Sequence, residues 1–534
     1  MQSRLFRWVL ILGVAIGLAG EGWAQPDELW RNRYGDFTGQ QVFEREDGGF
    51  WMFGSTSALG VGSIDFSLIE IDAAGEFVRQ RTYGGADSDY LNMVLPLVEG
   101  YLLCGSSRSF GDGSLDYWIA RIDADGDSLW ACNFGSDLNE TLVGAVELED
   151  GILLYGDARP VGQNSNEDQY QVKISFDGEE RWSHRLDAQG RDITRNAFAL
   201  PNGDVLITGN LLQPEGSQAF AERLNSEGAM LWYQTWNELF PTTLVKSILC
   251  RDGNLAMAGY CRPDGPDGDI DAYYQKINPD GEVIYVEIVG QPGTNFALDV
   301  VEAQDGGLAL AGYAYGNLVE DWYAVGVDGR GRVRWVRQWD YNHSIDYCEN
   351  LITTPDGGFV LAGSTTIHHP PAPMPNQALC IMHTDGSGNP LWRYVQDEMR
   401  QGLYEIGRKI QRTADGGYVL YWQEDRFYVE RFGLDPVGVF ESNGTAAPVS
   451  MTLKVSPNPF NSAVKIEYVI NKPDWVDLAI YDIVGNQVAA IENGRREAGL
   501  HTAVWDAGDY PAGVYLGCLG CGGGQKAVKM VLVK

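Results

Sequence analysis

This chain has little positive charge, little histidine and little that could become a helix. Lys and Arg number 39 against 73 Asp and Glu, a formal net charge of −34 over 534 residues. A surface so acidic repels phosphates and anionic headgroups, which argues against nucleic acid or an anionic membrane as partner. Only six histidines are present. No Gly-x-Ser-x-Gly, His-Glu-x-x-His or P-loop pattern occurs, so the usual nucleophile, zinc-hydrolase and nucleotide signatures are missing. Long helical periodicity is missing too. After the N-terminal segment no stretch is apolar for long enough to span a bilayer as a helix. The eight cysteines are Cys104, Cys132, Cys250, Cys261, Cys348, Cys380, Cys518 and Cys521. They fall at different places in the pattern described below, so they set no shared disulfide framework. Only Cys518 and Cys521 are close, as small neighbours or as a local bridge.

What is present begins with an export signal. Met1–Ala24 has Arg4 and Arg7 before an apolar run, Val9–Ala19, and then Gly22-Trp23-Ala24. This is the layout of a secretory signal peptide, with cleavage expected before Gln25. It implies the Sec machinery as first partner. No Cys follows the cut, so no lipid anchor is implied.

Glycine is abundant and turn pairs recur. Asp47-Gly-Gly49, Glu99-Gly100, Asp150-Gly151, Asn202-Gly203, Asp252-Gly253, Asp305-Gly-Gly307, Asp356-Gly-Gly358 and Asp415-Gly-Gly417 mark a period of about fifty residues, which means a propeller, solenoid or array. Within one period Tyr90–Leu97, Tyr101–Gly105, Asp116–Ile122 and Ser128–Phe134 read as four strands joined by tight turns. Four antiparallel strands per period make a propeller blade. The predicted fold is all-β: a propeller of eight four-stranded blades, with seven as the alternative, over residues 25–442. Glu28–Gly35 is an orphan fourth strand that would close the ring. Val437–Ser442 competes for that place. Alternating strand direction puts short, uniform turns on one face and long, dissimilar loops on the other, where a ligand site is expected.

Residues 443–450 form a polar linker, and the pattern changes over 451–534. Short strands and new turns there predict a small immunoglobulin-like β-sandwich. Ser456-Pro-Asn-Pro-Phe-Asn461, Leu478-Ala-Ile-Tyr-Asp-Ile-Val-Gly485, Ala498-Gly-Leu-His-Thr-Ala-Val-Trp-Asp506, Pro511-Ala-Gly-Val-Tyr515 and Lys529-Met-Val-Leu-Val-Lys534 resemble, in order, the type A sorting domain of the type IX secretion system. The family residues fall on Pro457, Asn458, Pro459, Phe460, Asn461, Tyr481, Asp482, Gly485, Trp505, Asp506, Gly513, Val514, Tyr515, Lys529, Met530 and Lys534. The resemblance implies passage through the periplasm and the outer-membrane type IX machinery, cutting by a sortase-like peptidase near 441–450, and release or attachment at the cell surface. Cys518-Leu-Gly-Cys521 departs from the family's polar hairpin.

Candidate chemistry in the repeats is acidic or aromatic. Trp30, Trp130, Trp182, Trp232, Trp335 and Trp392 recur at one strand position, which a repeated inter-blade core requires and a row of sugar platforms would also use. Asp65, Asp116, Asp168, Asp271 and Asp321 begin the third strands, as caps on the preceding loops or as a carboxylate ring. Asp267, Asp269 and Asp271 alternate in the densest acidic loop. Their hard oxygens suit Ca²⁺, although the spacing is not that of an EF-hand. His368-His369 lies in a Pro-rich insertion. No other cofactor is expected. These features favour a secreted or surface binding protein for a glycan, protein or surface ligand. The alternative is a polysaccharide hydrolase or lyase that draws carboxylates from several blades.

Overall fold

The computed structural model describes residues 16–17, 26–111, 115–161, 167–186, 190–214, 216–236, 242–263, 268–316, 319–340, 345–367, 376–396, 406–423, 426–433, 451–470, 474–482, 487–496, 499–508, 510–521 and 524–534. Among them all regular secondary structure is β. The chain forms two compact units, one carrying Glu28–Pro390 and Tyr394–Leu434, the other Asp435–Lys534.

The first unit is a run of eight antiparallel four-stranded sheets. In sheet 1 the strands are Phe37–Glu44 (a), Phe50–Thr56 (b), Asp65–Ile71 (c) and Phe77–Tyr83 (d). Sheets 2 to 7 repeat this order, starting at Asp89, Asn139, Arg191, Thr242, Thr294 and Asp346. The sixth also carries the short strand Ile16–Gly17. Sheet 8 contributes only three strands from its own place in the chain: Ile406–Arg412, Tyr418–Gln423 and Phe427–Phe432. Its fourth is Glu28–Tyr34, which pairs Trp30 with Arg431 and Tyr34 with Phe427. The orphan N-terminal strand therefore closes the ring, and the sheet count is eight. The competing segment 437–442 and the linker 443–450 lie outside the described residues.

Closure is favourable because the c strand of sheet 8 would otherwise present an unpaired edge. The seam is packed as well as paired. Phe37 meets Phe427 edge-on at 5.3 Å. Gly39 N–H donates to Gln423 Oε1 at 3.2 Å, and Ala414 N–H to Glu44 Oε2 at 2.6 Å.

Burial follows strand position. In sheet 1 strands b and c are almost wholly buried, whereas strand d is half-buried or exposed. First strands of successive sheets pack on one another and so line the axis. Cores lie between sheets: Leu102, Tyr117 and Ile119 of sheet 2 pack with Leu142, Ile152 and Val172 of sheet 3. Each such side chain removed from water is worth about 1.5–3 kcal/mol.

The recurring Asp-x-x-Gly-x-x-x-Trp element makes a clamp. The c–d turns are side-chain-capped bends, by Asx in six sheets and by Ser175 in sheet 3. Asp72 Oδ1 accepts from Ala74 N–H and Glu76 N–H, both at 2.9 Å, and Gly75 sits at φ 77°. Asp123, Asn225, Asn278, Asp328 and Asp385 repeat the cap. The d strand of the preceding sheet then grips the turn. Trp30 Nε1 donates to Ala73 O at 2.9 Å, and Tyr34 OH donates to Gly75 O at 2.8 Å. Trp232 and Trp335 do the same to Pro279 O and Gly386 O. The indoles thus bind the neighbouring sheet, as a repeated core requires.

The second unit is a seven-stranded sandwich. One sheet is Met451–Ser456, Ala463–Ile470 and Gly499–Asp506. The other runs Gln487–Arg496, Asp474–Asp482, Gly513–Cys521 and Gly524–Leu532. Val464, Ile466, Tyr468, Val476, Leu478, Ile480, Leu519 and Met530 fill its core.

Candidate functional site

Strand direction sorts the connections onto two faces. The a–b and c–d turns share one. The b–c and d–a loops share the other. The b–c loops differ in length: residues 57–64, 108–115, 160–167, 262–270 and 368–375 in sheets 1, 2, 3, 5 and 7, but only 214–215, 317–318 and 424–426 in sheets 4, 6 and 8. His368, His369 and Asp267 fall in loop segments outside the described residues.

Buried carboxyls pin these loops. Asp65 Oδ2 accepts from Gly62 N–H at 3.1 Å, the loop cap expected of it. Burial, with the Asp89 charge adding, raises the Asp65 carboxyl above its ordinary value. The first residue of strand a in the next sheet completes each junction. Asp89 accepts from Ser107 Oγ, Ser109 Oγ and Gly85 N–H. Its own N–H reaches Ile64 O at 2.7 Å. A Cβ on Gly84 would lie 2.0 Å from an Asp65 oxygen and 2.5 Å from an Asp89 oxygen, so both carboxyls converge on one glycine. Asp116 and Glu140 hold the corresponding places between sheets 2 and 3, where Glu140 N–H donates to Leu115 O and Ser136 Oγ donates to Glu140 Oε1. In sheet 3 Asp168 has Arg185 at 3.3 Å. Gln218 with Thr242, and Asp271 with Asn295, hold the same places farther along.

The predicted Ca²⁺ loop divides. Asp269 is exposed, whereas Asp271 is buried with its oxygens against Gly290. A tighter grouping lies elsewhere. Asp321, Asp340 and Asp346 bring ligand oxygens within 4.8 Å of one another between sheets 6 and 7. Pattern matching missed it because its members come from strands c, d and a. Hydrogen bonds hold it: Gln338 Nε2 donates to Asp321 at 2.6 Å and Thr365 Oγ1 to Asp346 at 2.6 Å.

The same face exposes apolar side chains. Leu59 and Val61 stand 53% and 80% exposed on the first b–c loop, and Val161 61% on the third. Tyr90, Tyr315 and Ile345 are also exposed there. The sequence signal was weak, since lone aliphatics in polar loops follow no period.

In the sandwich the motif residues meet although they are far apart in sequence. Asn458 Nδ2 donates to Lys529 O at 2.7 Å, and its Oδ1 accepts from Val531 N–H at 2.8 Å. Phe460 N–H donates to Val531 O across the same loop, and Val533 N–H donates to Phe460 O. The buried Phe460 packs on Trp505 at 5.7 Å, and Trp505 on Tyr515 at 5.0 Å. Asp506 Oδ1 accepts from Gly508 N–H, and Lys534 Nζ donates to Gly508 O. Met530 is buried beside them. Pro457, Pro459 and Asn461 are exposed. Gly513 and Val514 pair with Leu532 and Val531. Tyr481 and Asp482 lie on the neighbouring strand in register with Leu516 and Tyr515. Gly485 lies outside the described residues. The Cys518–Cys521 stretch is ordinary strand, with Cys521 in register with Gly524. Cys518 is a free thiol, like Cys104, Cys132, Cys250, Cys261, Cys348 and Cys380.

Comparison with known proteins bears on this second unit. Residues 454–534 match the family described as the secretion system C-terminal sorting domain. No curated protein matches the chain. Among solved structures, PorZ of Porphyromonas gingivalis, described as a surface component of the type IX secretion system, shares 9% identity. The match covers 94% of this chain and 74% of that one at a TM-score of 0.37. Polysaccharide lyase Uly1 shares 12% identity over 75% of this chain and 90% of its own, TM-score 0.38. An α-L-arabinofuranosidase from Lactobacillus brevis shares 10% over 51% and 97%, TM-score 0.25. Scores this low carry no argument about activity. The sorting domain does: this is a protein sorted by the type IX secretion machinery to the cell surface or the extracellular space.

Proposed function

We propose that the propeller is a non-catalytic binding module that engages an extracellular protein or glycan through its long-loop face. One observation carries this. Leu59, Val61 and Val161 are exposed on loops whose bases are held by buried carboxyls. Exposed aliphatics on a fixed scaffold suit an interface better than solvent. The exposed Leu59, Val61, Val161 and Ile345 outnumber the exposed Tyr90 and Tyr315 on this face, which favours a protein over a sugar ring. Catalysis on polysaccharide would need two carboxyls facing an open cleft. Asp89, Asp116 and Glu140 are instead buried in junctions. Calcium enters this proposal through Asp267 and Asp269 of the 262–270 loop and Asp271 at the start of the strand that follows it.

The test is a binding screen of the whole secreted chain against glycan arrays and cell-surface extracts, with Ca²⁺ and with chelator. Leu59→Asp with Val61→Asp should lower affinity at least tenfold, about 1.4 kcal/mol, while Phe77→Asp on the outer edge should not. Equal binding by both variants, or release of reducing ends from a polysaccharide, would overturn the proposal. Loss of binding in chelator would assign Ca²⁺ to the acidic loop, and persistence would remove it.

A further inference from the structure

Between sheets 3 and 4 one acid is buried without a cation. Glu222 lies on strand c of sheet 4, Gly216–Leu224, and is 0% exposed. It faces sheet 3, as does Leu224 two residues on, which packs with Leu153 and Tyr155 of that sheet. Gln171 Nε2 of sheet 3 donates to Glu222 Oε1 at 2.8 Å and to Gln169 Oε1 at 3.2 Å. Glu222 Oε2 receives no donor. Both glutamines are buried with it.

The other repeats show what this strand place tolerates. It holds Ile69, Val172 and Val325 in sheets 1, 3 and 6, and Gln275 in sheet 5. In sheet 8 it holds Glu430, and there Arg31 Nη2 donates to the carboxyl at 2.9 Å. Around Glu222 the titratable groups on the facing sides are Tyr155, Asp157, Lys173 and His184 of sheet 3 and Asp192 and Tyr233 of sheet 4. Lys173 Nζ is taken by Asp150 at 2.9 Å and Ser226 O at 2.8 Å. His184 is exposed. A carboxylate ionised in this place would lose its hydration for one neutral amide and no counter-charge.

We propose that Glu222 stands in this core as the neutral acid, and that its ionisation is a pH-sensitive release between sheets 3 and 4. The release acts whatever the loops bind. When the joint opens, water reaches the carboxyl, its O–H bond breaks and the proton leaves to solvent. Burial raises the Glu222 carboxyl to about 8; the Gln171 hydrogen bond opposes this and the Asp192 charge adds to it. An acid whose folded value is raised contributes stability that is fully present below the ordinary glutamate value and is lost as pH rises through the raised one. Local opening around Glu222 should therefore grow by up to about tenfold per pH unit between those two values and then level off.

The experiment is amide hydrogen exchange of the whole chain, wild type against Glu222→Gln, from about pH 5 to about pH 9. Comparing the two at each pH cancels intrinsic exchange. Glutamine is what sheet 5 already carries at this place, so the variant keeps a side chain the fold accepts. Protection of 219–224 in the variant, divided by that in wild type, should rise by up to about tenfold per pH unit and level off above about pH 8. Segment 271–277 of sheet 5 should show no such rise. Glu222→Met, the residue of sheet 7 at this place, should give the same pH course from a lower starting level. A ratio constant with pH in both variants would overturn the proposal, because Glu222 would then be ionised throughout. So would an equal rise in 271–277, because the effect would then belong to the whole ring and not to this joint.

Discussion

On the short-turn face of the propeller, the c–d turns are capped by an Asx side chain, or by Ser175 in sheet 3, and gripped by the preceding sheet through Trp or Tyr. On the long-loop face, buried carboxyls meet between sheets and the loops above them differ in length. The first kind of junction uses backbone acceptors and a glycine, so every repeat can share it. The second uses side-chain acids, so each junction can be retuned by one substitution, as Thr242 and Asn295 show. Uniform structure sits where nothing needs to vary. Variable structure sits where a ligand would be selected.

Three changes would break or sharpen that contrast. The largest is deletion of Glu28–Tyr34, which leaves the Phe427–Phe432 edge unpaired and the sheet 1 turn ungripped. The cooperative thermal transition of the propeller should disappear and light scattering should rise. An unchanged transition would mean the ring does not depend on this strand. Next is Gly75→Ala. A Cβ there would lie 2.6 Å from the Trp30 ring at φ 77°. Backbone strain plus overlap should cost about 2–4 kcal/mol by denaturant unfolding. Gly306→Ala has φ 80° but nothing within 4 Å, so it should cost only about 1–2 kcal/mol. Equal losses would show that the clamp adds nothing to backbone strain. The smallest is Asp385→Ala. It removes acceptors for Ser387 and Asn389 N–H, both at 2.8 Å, on an exposed turn. About 1 kcal/mol is expected. A loss as large as that of Gly75→Ala would shift the weight of the junction from the clamp to the cap.

Much of this architecture could be read from the chain. The fifty-residue period, the Asp-Gly turns and the recurrent Trp predicted four-stranded blades, because turn chemistry and alternation are local. The sorting motifs were legible for another reason: they resemble a known family in order. Their meeting point, where Asn458 holds the last strand and Phe460 reaches Trp505, could not be read, since those residues are some seventy and forty-five positions from their partners. Nor could the carboxyl pairs. Asp116 was visible as a strand cap, but Glu140 belongs to the next repeat and looks like any surface acid until the ring brings it to the Leu115 carbonyl.

The sequence by itself therefore determined the elements: strands, turns, their period, and a C-terminal domain that directs export. These depend on neighbours a few residues apart and on backbone preferences that each residue carries with it. Only the tertiary structure decided between seven and eight sheets, because Glu28–Tyr34 and Phe427–Phe432 are joined by nothing but ring closure. It alone decided which acids are buried together. Burial and proximity belong to the assembled ring, where acids from neighbouring repeats are withdrawn from water.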